Sequence, residues 1–173
     1  AAQARKLVQS EGASVLLGAV TPIFNGPMSA AADQLKVPLM MSQVPIDAWQ
    51  NAREGGYAYA WDIYVHEPDA TKVTWQTADM TETNKKVAIF ANTDEDGDIW
   101  GKNWTEQAPQ FGYEIVYTAK MPVGTTNFAD YINKAKEANA EIVLGQMMPT
   151  DAITMWKQMK ALSYKPKIAT CEK

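Results

Sequence analysis

In the second half of the chain, short apolar runs alternate with amphipathic stretches. KVAIFAN (86–92), EIVYTAKM (114–121), AEIVLGQM (140–147) and KIATC (167–171) read as strands. Runs with little polar alternation suit strands covered on both faces, as in a parallel sheet. Between them GKNWTEQAPQFG (101–112), FADYINKAKEAN (128–139) and AITMWKQMKAL (152–162) predict helices, and Pro109 must end or bend the first. The first half predicts a helix over 2–10 with Ala4, Leu7 and Val8 on one side, stopping near Gly12. Strands over 13–19, 37–41 and 57–61 follow, with TPIFNGP (21–27) as a loop, a short helix over 28–35 and a helical turn around 48–53. His66-Glu67-Pro68-Asp69 punctuates the chain before a polar helix over about 70–80. This alternation predicts an α/β fold, doubly wound, with parallel sheets, right-handed crossovers and helices on both faces.

Ligands of such sheets sit at the carboxyl ends of the strands. The segments to search are therefore 21–25, 42–46, 92–100, 146–151 and 171–172. The chain opens in a helix and closes on a strand end, which predicts an internal piece of a longer protein, incomplete at both ends.

Composition narrows the function classes. A net charge of -4 with scattered Lys and Arg leaves no footprint for a phosphate backbone, so nucleic acid is not the expected partner. One cysteine excludes an internal disulfide and an all-cysteine metal site. No run reaches the roughly eighteen apolar residues of a membrane span. Six Trp and nine Met are an excess that serves either core filling or adaptable binding walls.

The acidic stretch NTDEDGDIWG (92–101) invites two tests. On a calcium loop, Asn92, Asp94, Asp96, Gly97 and Asp98 occupy suitable places, but the twelfth is Asn103 instead of Glu and the entry is a strand. As a phosphate loop it lacks the glycine pattern, and its acids repel phosphate. The acids read as a solvated turn, with Asp96 and Asp98 able to rim a cleft. His66 stands alone, Cys171 has no base, and Ser42 lacks a nucleophile elbow, so neither a metal site nor a catalytic set is expected. Trp104, Trp156 and Met159 are expected to face a sheet. Other strand-end residues suit binding: Phe24 beside the Asn25 amide, Met147 and Met148, the Glu172 charge, and Trp100 at a helix start with free backbone N–H groups.

ARKLVQSEGASVLLG, VPLMMSQVP, KVAIFANTDEDGDIWG, GTTNFADYINKAKEANAEIVLGQM and KALSYKPKIATCE occur in an order and spacing that span almost the whole chain. Together they resemble the extracytoplasmic solute-binding proteins of ABC transporters, of the leucine/isoleucine/valine-binding type. The resemblance implies a type I periplasmic binding protein fold of two α/β lobes, with residues 1–65 in lobe one, 66–173 in lobe two and a hinge near 62–68. It implies a solute held between lobes that close on it, a permease as partner, a periplasmic location, and no cofactor. By that resemblance, Thr21 to Asn25 and Ser42, Gln43 and Val44 match loops that grip a ligand carboxylate. Trp100 replaces the aromatic of a Tyr-Gly pair, Met147 replaces a tyrosine, and Glu172 takes the place of the acid that neutralises an ammonium. Glu172 with Trp100 suits an amine-bearing solute, while Pro22-Ile23-Phe24 in place of a serine-rich loop, with the lost tyrosine, points to a larger, more apolar or aromatic one. A sensor or regulator of the same fold and a doubly wound enzyme are the alternatives.

Overall fold

The computed structural model describes residues 1–18, 21–51 and 53–172, except for the side chain of Asn51. Ala19 and Ala52, included in two of the expected elements, lie outside them. The chain divides into two compact units, Ala1–Glu67 and Pro68–Lys173.

The first unit holds a parallel three-stranded sheet in the order β1 (Leu16–Leu17), β2 (Leu39–Ser42), β3 (Ala60–Ile63). Helices α1 (Ala2–Gln9) and α2 (Pro22–Leu35) and the indole of Trp49 in α3 (Ile46–Asn51) pack on one face, over Leu16, Leu39 and Ala60. Side chains alternate along a strand, so Leu17, Trp61 and Ile63 point to the other face, where they are exposed. Helices on both faces were expected; among the described residues this sheet is covered on one.

The expected loop over 21–27 is helical. Pro22 takes the first helical position, where its missing N–H costs nothing, and Thr21 precedes it at a φ of 83°. Pro27 lies inside α2, so one backbone bond is lost there. Asn25 and Ser29, one turn apart, are buried together, and the Ser29 hydroxyl donates to Asn25 Oδ1 at 2.9 Å. Asp62 shares the helix-covered face with its register partner Met41, and both carboxylate oxygens are shut off from solvent. Burial raises its carboxyl from 3.8 to about 6, against a smaller lowering by a backbone hydrogen bond at Ile63.

The second unit is a parallel four-stranded sheet, in the order β5 (Glu114–Met121), β4 (Lys86–Asn92), β6 (Ile142–Gln146), β7 (Ile168–Glu172). It is covered on both faces. Ala88, Phe90 and Val143 meet Phe128, Ile132, Met155 and Met159, the last three from α6 (Ala129–Glu137) and α7 (Pro149–Ala161). Val87, Ile89, Ile142 and Leu144 meet Trp75 of α4 (Glu67–Ala78) and Trp100 and Trp104 of α5 (Glu95–Gln107). Trp104 and Met159 are buried as expected, whereas Trp156 is exposed.

The acidic stretch is the start of α5. Asp94 caps the helix, its carboxylate accepting from the Gly97 N–H at 2.8 Å, and Glu95, Asp96 and Asp98 fill the first turn, where the helix dipole favours acids. Instead of forming a solvated turn, Asp96 is buried, while exposed Asp98 pairs with Lys120. At Ala108 the helix tightens into a 3-10 turn through Pro109.

An amide and a carboxylate tie the carboxyl ends of the strands. Asn92, the last residue of β4, donates through Nδ2 to Asp151 Oδ2 at 3.2 Å and to the Met121 carbonyl at 3.3 Å. Its Oδ1 accepts from the Met148 N–H at 2.7 Å. Asp151, in the first turn of α7, also accepts from the Gly124 N–H at 3.0 Å and from the Thr150 hydroxyl at 3.3 Å. Both side chains are buried, so the loops after β4, β5 and β6 are joined through dry hydrogen bonds.

Three outcomes follow from this packing. A Cβ on Gly97 would sit 2.0 Å from the Asn92 carbonyl oxygen, so Gly97→Ala should lower the thermal midpoint by about 5 °C or more, read by calorimetry. Asp151→Ala strands the buried Asn92 amide and the Gly124 N–H and should cost about 1–3 kcal/mol in denaturant unfolding, with Asp151→Asn recovering part through its remaining acceptor. Asp62 binds its proton more tightly folded than unfolded, so its penalty is absent below the unfolded value of 3.8, grows as pH rises and is complete above about 6. Asp62→Asn should flatten that slope and raise stability at neutral pH by about 1 kcal/mol, a figure discounted for the partial exposure of the residue. Unfolding curves at acid and neutral pH measure it.

Candidate functional site

The strand ends of the first unit carry six of the expected contact residues. Thr21 lies just before α2 and Ser42 ends β2; Gln43 follows it, and both Thr21 and Gln43 adopt left-handed φ values, 83° and 70°. Such backbone is costly for residues other than glycine and concentrates where a loop is held for a purpose. Ser42 and Gln43 are exposed, while Val44 is fully buried. Phe24 is exposed on α2 and borders an apolar groove of about 350 Å³ with Leu7, Leu17 and Met28. Asn25 points inward to Ser29, so the expected plate of Phe24 beside the Asn25 amide splits into an outward ring and an inward amide. The Asn25 Nδ2 and the Thr21 hydroxyl are buried without hydrogen-bond partners among the described residues.

In the second unit the expected trio separates. Trp100 is the sixth residue of α5, past the turn that carries the free N–H groups, and its ring lies 5.4 Å from that of Trp104 in the core. The expected helix start at Trp100 is therefore corrected to Glu95: a capped, acidic first turn precedes the apolar rhythm. Met147 is buried on the opposite face of the sheet, among α6 and α7, and its carbonyl accepts from the Cys171 thiol at 3.5 Å. Glu172, at the end of β7, alternates with Cys171 and falls on the face of Trp100. Half-burial raises its carboxyl above the usual carboxylate range. Glu95 is raised too, first by burial and then by its neighbours Asp96 and Asp94. Among the described residues, no three His, Cys, Asp or Glu side chains converge to hold a metal ion, and no helix is long and apolar enough to cross a membrane.

The residues passed over were Asn92, Gln146 and Asp151. Each lies in a strand-end segment marked for search, and each is buried. The signal was available: Asn92 and Gln146 are the polar last residues of otherwise buried apolar strands, where a polar side chain has to find a partner.

Several solved structures share this fold. One is the solute-binding protein of an ABC transporter from R. palustris, solved with 4-hydroxybenzoate. It superposes with a TM-score of 0.81 at 17% identity, over 98% of this chain and 45% of that one. A second, from Rhodopseudomonas palustris BisB5 with 3,4-dihydroxybenzoic acid, gives 0.79 at 18% identity over 97% and 46%. A leucine-binding protein from Thermotoga maritima gives 0.75 at 13% identity over 92% and 45%. The chain thus spans about half the length of these neighbours. No curated protein matches the sequence. Residues 1–171 match the family described as periplasmic binding protein, whose members are extracytoplasmic solute binders, and the chain belongs to that family.

Proposed function

We propose that this protein captures a small extracytoplasmic solute, amine-bearing or aromatic, and delivers it to the permease of an ABC transporter. The observation that carries this reading is the family match along residues 1–171. The solutes named for structural neighbours, hydroxybenzoates and leucine, set the size class. In the mechanism, a ligand that binds one arrangement of the two units better than another shifts the population toward it, and the permease reads that state. Ser42 and Gln43 would offer polar groups to a carboxylate. Glu172 would meet an ammonium, its burial making an unpaired charge there costly and a paired one favourable. Trp100 and Met147, both buried, would shape the walls beneath the strand ends of the second unit.

A thermal-shift and calorimetric panel of hydroxybenzoates, benzoates, branched-chain amino acids and simple amines tests the proposal on the full-length protein. Binding at a hundredfold excess over Kd should stabilise by about 2.7 kcal/mol, with no product formed from the bound solute. Glu172→Gln should weaken amine-bearing ligands about tenfold or more and leave plain benzoates nearly unchanged. Turnover of a bound solute would point to an enzyme instead, and a panel without any binder would remove the reading.

A further inference from the structure

Along β6, Ile142 and Leu144 face the layer of Trp75, Trp100 and Trp104, and by alternation so does Gln146. Gln146 is 3% exposed, and its Oε1 is buried without a hydrogen-bond partner among the described residues. An amide oxygen withdrawn from water and left unpaired costs a few kcal/mol, so natural cores rarely keep one without a use. Gln146 is the register partner of Glu172, and Leu144 that of Thr170. Thr170 and Glu172 therefore line up on the same face, and the Thr170 hydroxyl is also buried without a partner. The result is a column of three side chains able to accept hydrogen bonds: Thr170, Gln146 and Glu172. Among the described residues, those buried on this face include three indoles and no cation, and Asp96 of α5 adds an acid to that layer's helix. A carboxylate arriving here would meet like charge; a hydrogen-bond donor would meet the Gln146 oxygen and the Thr170 hydroxyl.

We propose that Gln146, with Glu172 beside it, reads a hydrogen-bond donor on the solute, either a protonated amine or a phenolic hydroxyl. The inference rests on the solute-binding reading above and adds a specificity residue to it. Glu172 supplies charge, and Gln146 supplies direction, because its oxygen is held by the strand at a fixed depth. A solute lacking the donor leaves the amide oxygen unpaired a second time, in the closed state, and is discriminated against for that reason.

Calorimetric titration of the full-length protein with two matched pairs tests this: 4-hydroxybenzoate against benzoate, and leucine against 4-methylpentanoate. The wild type should bind the donor-bearing member of at least one pair about tenfold more tightly. The pair that discriminates tells phenol from amine. Gln146→Leu should lower that ratio about threefold or more, while Gln146→Glu, which keeps an acceptor, should preserve it. Should Gln146→Leu fail to fold, the ratio in Gln146→Glu decides alone, and its loss overturns the inference. A folded Gln146→Leu that keeps the wild-type ratio also overturns it. Wild-type binding of both members equally removes this inference and leaves solute binding standing, whereas no binding of any probe removes both.

Discussion

Strand β4 sets the constraint on which the second unit depends. It is hydrogen-bonded on both sides and covered on both faces, so from Val87 to Ala91 no polar side chain is tolerated. The chain meets that demand with small, branched and aromatic residues and keeps its polar side chains, Lys86 and Asn92, to the two ends. Asn92 then gathers the loops after β5 and β6 with Asp151. The carboxyl end of the sheet is organised by hydrogen bonds in a dry setting, where geometry is enforced because a misplaced group goes unpaired. Gly97 belongs to the same constraint, since the turn from β4 into α5 leaves no room for a side chain above the Asn92 carbonyl.

The strands of this unit were legible within about two residues because an apolar run at strand length needs no outside information to be read. The helix starts were not. α2, α5 and α7 begin at Pro22, Glu95 and Pro149, earlier than periodicity indicated. The first turn of a helix is polar or proline-bearing by physical need, since its N–H groups lack partners and its dipole attracts acids. A rule that searches for apolar spacing misses that turn, and the four acids of 94–98 were read as a solvated loop for this reason.

The candidate site was legible as a set of chain segments rather than as a set of directions. Strand-end location follows from the α/β rhythm, and Ser42, Gln43 and Glu172 lie at such ends. Which face a residue takes depends on strand register and on where each helix packs. Trp100 and Met147 lie on opposite sides of one sheet, and Phe24 and Asn25 on opposite sides of one helix surface. Gln146 was passed over because it ended an apolar run and looked like its edge.

Gln146 and Met147 are consecutive, yet their side chains occupy different layers separated by the thickness of the sheet. Substitution at one position can change the polarity of the α4/α5 layer without touching the α6/α7 core, and the converse holds at the other. A one-residue insertion or deletion within β6 would exchange the two, placing a thioether among the acceptors and an amide in the hydrocarbon. The polarity of this strand end is therefore open to point replacement and closed to changes of length.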